Sequence, residues 1–98
     1  MQIFDGRQIS AARAWADITT VALARKAGVA SRTIHRLEVG GEFQVSEEKT
    51  DGDVSLEVWS KIIAALEDEG VELTPQDASH GSGVRWARPR ALRNATER

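Results

Sequence analysis

Apolar and small residues between Ile9 and Leu37 recur at three- and four-residue intervals, the period of amphipathic helices rather than of strands. A helix is predicted from about Arg7 to Ala16. Leu23 and Ala27 fall four apart, while Ile34 and Leu37 fall three apart, so Leu23 to Glu38 reads as two short helices joined by a tight turn. Gly28 sits where the first of them must stop and reverse, and glycine tolerates the left-handed backbone that such a cap takes. Thr19 is placed to cap that helix at its start through its hydroxyl.

Past Gly40-Gly41, a stop signal, the pattern changes. Phe43 and Val45 alternate with Glu42 and Gln44, which fits a short strand or a packed loop, and an acidic connection runs on to about Val54. An extended lead at Gln2 to Phe4 is the other strand-like element of this half. Asp53 or Ser55 can then cap a further helix, in which Leu56, Trp59, Ile62, Ile63 and Leu66 form a broad apolar stripe ending at Gly70. The stripe suits either the chain's own core or a shared dimer interface. Val71 and Leu73 flank Glu72, and Val84 and Trp86 alternate with Arg85 and Ala87, with a turn-rich segment between them. Two strands joined as a hairpin fit this, with Pro89 ending the second. An isolated hairpin is marginal in water, so it must pack on the helices or pair with a second subunit. The chain therefore divides into a helical region, 1–70, carrying an acidic insertion at 42–53, a hairpin at 71–88 and a basic tail at 89–98.

Composition narrows the class. At 98 residues the chain is read as one domain with a modest core, to which a dimer partner can add buried surface. It has no cysteine, which removes disulfides and thiolate metal sites and suits a reducing cytoplasm. No apolar run approaches the roughly 20 residues of a membrane span, and Met1 to Ser10 lacks a signal-peptide profile, so a cytoplasmic location is expected. The net charge is only −2, but its distribution is segmented. Residues 1–41 carry six cations against three carboxylates, 42–77 carry two against eleven, and 78–98 carry five against one. A basic helical pair can thus face phosphates while the acidic middle points away.

The run Leu-Ala-Arg-Lys-Ala-Gly-Val-Ala-Ser-Arg-Thr-Ile-His-Arg-Leu-Glu, from Leu23 to Glu38, resembles the Cro/C1-type (XRE-like) helix-turn-helix family of small DNA-binding regulators. The resemblance covers roughly Ile9 to Leu66. It implies a first helix around Ile9, Ala12, Arg13 and Trp15, a second from Thr19 to Ala27 and a recognition helix from Ser31 to Val39. It also implies an ion pair between Arg13 and Glu38 across the first and third helices. The expected fold is mostly α, a four- to five-helix Cro/C1-like domain with a small C-terminal β-hairpin. The chain departs from the family at Thr20, where a glutamine is common, and at Ala30, where a serine cap is common. The second departure leaves Ser31 as the capping candidate, and the acidic connection is longer than the family usually shows.

In a helix-turn-helix the second helix enters the major groove, and residues near its start reach base edges. Here these are Ala30, Ser31, Arg32 and, one turn on, Arg36. Each arginine can contact a guanine through two hydrogen bonds, and Ala30 can offer its methyl to a thymine. Thr20, Thr33 and His35 are candidate phosphate contacts, which set register without reading sequence. A dimer is expected, with Trp59, Ile63, Leu66, Val84 and Trp86 as interface candidates and a higher oligomer still open. Two-fold symmetry would set the recognition helices about 34–36 Å apart and call for an inverted-repeat operator.

The rival expectation is a protein-interaction module, or an antitoxin- or antiactivator-binding regulator, that uses the helix pair as a scaffold and binds another protein through the acidic loop or hairpin. No enzyme, cofactor or metal site is read from the chain. Gly40-Gly41-Glu42-Phe43 is one acidic residue short of the diguanylate cyclase signature. His35 and His80 lack a carboxylate cluster at ligand spacing. Ser79-His80 has no oriented third partner, and Gly81-Ser82-Gly83 has no following Lys and helix to cradle phosphate.

Overall fold

The computed structural model describes residues 2–47 and 54–87. The capping candidate Asp53, most of the acidic connection, Pro89 and the basic tail lie outside the described residues. In chain order the described elements are β1 (Gln2–Asp5), α1 (Gly6–Ala16), α2 (Thr20–Ala27), α3 (Ser31–Val39), β2 (Glu42–Ser46), β3 (Val54–Ser55), α4 (Leu56–Asp68), β4 (Val71–Thr74) and β5 (Gly83–Trp86). With 51% helix and 24% strand among the described residues, and two sheets, this is a small α/β domain, which corrects the expectation of a mostly α Cro/C1-like fold with only a C-terminal hairpin. The reason is long-range pairing. β1 runs antiparallel to β2, with Phe4 opposite Phe43 and Gln2 opposite Val45, and β2 pairs in parallel with β3 through Val45 and Val54. Residues 42–46 are thus a sheet's central strand rather than part of an inserted loop.

Alternation on β2 turns Phe43 and Val45 inward and leaves Glu42 and Gln44 exposed. Phe43 meets the long stripe of α4, a helix capped by Ser55, whose hydroxyl accepts from the Val58 N–H at 3.3 Å. The Trp59 ring lies 4.6 Å from that of Phe4 and 5.1 Å from that of Phe43, and only 3% of the residue is exposed. Leu66 is fully buried in the same core, with Ile9, Leu23, Ile34, Ile62 and Val71. Trp59 and Leu66, buried in the chain's own core, are therefore removed from the dimer-interface candidates; the rings that cover Trp59, those of Phe4 and Phe43, come from strands set apart from α4 in the chain. Ile63, Val84 and Trp86 stay half-buried.

β4 and β5 are antiparallel, with Val71 opposite Trp86 and Leu73 opposite Val84. The pair is held to the rest of the chain by Gln8 of α1. Its amide donates to the carbonyls of Thr74 at 2.9 Å and Gly83 at 2.7 Å, while its oxygen accepts from the Asp5 N–H at 2.7 Å. Trp15 of α1 also packs on Trp86, with ring centroids 5.2 Å apart. No helix among the described residues is long and apolar enough to cross a membrane.

Candidate nucleic-acid interface

The α2–α3 pair is built from local signals. The Thr19 hydroxyl accepts from the Ala22 N–H at 3.0 Å and starts α2, and Gly28 ends it at φ 75° and ψ 31°, where a side chain would be strained. Gly28 and Val29 both donate to the Ala24 carbonyl, closing the turn. Leu23, Ala24 and Ala27 of α2 and Ile34 of α3 are buried, so each helix contributes one face to the core.

What this leaves outward on α3 is a continuous face. Ser31, Arg32, His35, Arg36 and Val39 are exposed and recur at three- and four-residue steps. Arg32 and Arg36 are one turn apart on it. Thr33 is half-buried off this face, lining a cleft with Leu37, Phe43 and Val58. Thr20 is half-buried in the first turn of α2. Ala30 is exposed at the head of α3 in extended conformation and supplies no side-chain cap, and Ser31 is the first helical residue rather than the cap. The capping role expected of Ser31 is thus corrected, since its backbone already lies inside the helix. Val39, 70% exposed on the face that carries the arginines, was missed in the sequence reading, although its spacing from His35 and Arg36 would have found it.

Behind that face, α3 is locked to α1. Arg13 Nε lies 2.6 Å from Glu38 Oε2, and Arg13 Nη2 lies 3.1 Å from Glu38 Oε1, a two-pronged pair in which the Glu38 side chain is only 8% exposed. Arg13 also donates to the Ile18 carbonyl just before α2. The hydrogen bond that Arg13 donates to Glu38 raises the arginine's pKa further, so it remains charged. Next to it the β1–α1 joint runs so close to α3 that a Cβ on Gly6 would lie 1.6 Å from the Leu37 carbonyl oxygen, while the Gly6 N–H donates to Gly41. Neither Gly6 nor the Gln8 amide N–H groups carry a local signal for these contacts, because both act on residues far along the chain; the Gln8 oxygen alone acts locally, on the Asp5 N–H.

The cations sort into two sets. Arg7 pairs with Asp5, Arg13 with Glu38, Lys26 with Asp68 and Glu69, Lys61 with Glu57, and Arg85 with Glu72. Among the described residues, the lysines and arginines outside these ion pairs are Arg25, Arg32 and Arg36, all exposed and all on α2 or α3. His80 lies apart, in the β4–β5 connection, 3.3 Å from Asp77. No group of three or more His, Asp or Glu side chains among the described residues is arranged to hold a metal ion. No family model matches the chain, and no curated protein matches it significantly.

Proposed function

We propose that this protein is a sequence-specific DNA-binding transcriptional regulator that uses its α2–α3 pair as a helix-turn-helix, acting as a dimer on an inverted-repeat operator. α3 enters the major groove, with Arg32 and Arg36 reading guanines and Ala30 and Ser31 near the base edges. His35 and Val39 share that exposed face, and Thr20 stands near phosphate. The observation that carries this reading is the placement of the unpaired arginines. Among the described residues, the exposed cations outside α2 and α3, and Lys26 of α2, lie beside a carboxylate, whereas Arg25, Arg32 and Arg36 have no such partner and keep their charge available to a polyanion.

The test is selection of bound duplexes from a random pool at near-physiological salt, with intact protein and with Arg32→Ala/Arg36→Ala. The expected result is an inverted repeat with half-sites about one helical turn apart, enriched by the intact protein alone. A folded protein that enriches no motif overturns the reading.

A further inference from the structure

We infer that Arg25, on α2 rather than on the recognition helix, anchors the DNA backbone through a phosphate and contributes no sequence information. This rests on the DNA-binding reading above and adds to it a residue outside the base-reading set. Arg25 and Lys26 are adjacent cations on one helix with opposite surroundings. Lys26 Nζ lies 2.6 Å from Asp68 and 3.2 Å from Glu69 at the end of α4, so its charge is neutralised within the fold. Arg25 is about 100° around the helix from it, exposed, and outside every ion pair among the described residues. The Lys26 flank of α2, with Glu67, Asp68 and Glu69 beyond it, repels a polyanion. The Arg25 flank does not.

Val21 supports the same orientation. It lies four residues before Arg25, on the same flank, and is 55% exposed, an apolar surface that a packed duplex edge would cover. Arg25 also stands in the last turn before Gly28, so the tight turn keeps it close to the start of α3, the end that approaches the bases. A guanidinium there meets sugar-phosphate, because the groove floor is occupied by α3 itself.

The experiment measures the salt dependence of binding to the selected operator duplex for the intact protein, Arg25→Gln and Lys61→Gln, with melting curves for all three. Lys61 is an exposed cation already beside Glu57 and serves as the control for net charge. Loss of one phosphate contact lowers the slope of log K against log salt by about 0.9, so the penalty in Arg25→Gln shrinks about 3.5-fold between 50 and 200 mM salt. The selected motif is expected to be unchanged in Arg25→Gln, and Lys61→Gln to keep the intact slope. An Arg25→Gln slope equal to that of the intact protein, or a slope lowered equally in Lys61→Gln, overturns the inference and leaves the DNA-binding reading standing. A changed motif in Arg25→Gln overturns it by making Arg25 a base reader. Absence of duplex binding by the intact, folded protein overturns both.

Discussion

The seam between α1 and α3 and the outer face of α3 lie on opposite sides of one helix and treat polar groups in opposite ways. In the seam, Arg13 has the two oxygens of Glu38 and the Ile18 carbonyl; elsewhere on α1, Gln8 has the Asp5 N–H and two carbonyls of the β4–β5 pair. On the outer face, Arg32 and Arg36 have no ionic partner among the described residues, and Val39 is 70% exposed. The difference separates arginines that hold the domain together from arginines open to a ligand. It also shows why counting charges along the chain does not locate a binding surface: Arg13 and Arg36 count equally there.

The seam should break first. Glu38→Ala leaves Arg13 without its counter-ion and is expected to destabilise the fold by about 3–5 kcal/mol, with the proposed DNA binding lost together with folding. A melting temperature unchanged by that substitution would reject the pair's role, whereas Arg36→Ala should leave melting within about 0.5 kcal/mol of the intact protein. Gln8→Ala comes next. It removes the capping-box acceptor and both ties to the strand pair, for a cost of about 2 kcal/mol. Faster hydrogen exchange should concentrate at Thr74 and Gly83 and their neighbours, and uniform acceleration across the domain would show that Gln8 supports the whole core instead.

The smallest effect concerns the start of α1. Asp5 caps that helix, and its carboxylate accepts from the Arg7 side chain at 2.7 and 3.0 Å and from the Arg7 N–H at 2.9 Å. The Arg7 guanidinium thus holds the Asp5 carboxyl below its ordinary value of 3.8. A lowered carboxyl pKa contributes stability that is fully present above the unfolded value and is lost as pH falls through the folded one. Melting temperature should therefore drop less below about pH 4 in Asp5→Asn, which keeps a capping oxygen, than in the intact protein. Identical acid profiles would assign that loss of stability to other carboxylates. Asp5→Ala should cost about 0.5–2 kcal/mol near neutral pH as the cap is lost.

Much of the helical layout was legible residue by residue. The period of Leu23, Ala27, Ile34 and Leu37, the Thr19 cap, the Gly28 reversal and the alternation of Val71, Leu73, Val84 and Trp86 are all short-range signals, and the corresponding helices and paired strands are present. The Arg13–Glu38 pair came from family resemblance rather than from spacing, and its geometry is now on view. The three-stranded sheet was not legible as a sheet. Its strands were visible only as an extended lead and an alternating segment, and nothing local says that Phe4 faces Phe43.

The amino-acid order by itself determined where helices start, stop and turn, because caps, glycines and apolar periods act within one or two turns of the residue that carries them. It also determined that positive charge gathers in the first helices and negative charge after them. Only the tertiary structure decided what each stripe and each cation meets. Trp59 became core because Phe4 of β1 and Phe43 of β2 close over it, and Gly6 and Gln8 became joints because α3 and the strand pair arrive beside them. Lys26 was neutralised by the end of α4 while Arg25, its neighbour in sequence, was left open. Those outcomes depend on contacts between residues far apart in the chain, and such contacts follow from packing the whole rather than from the pattern of any one segment.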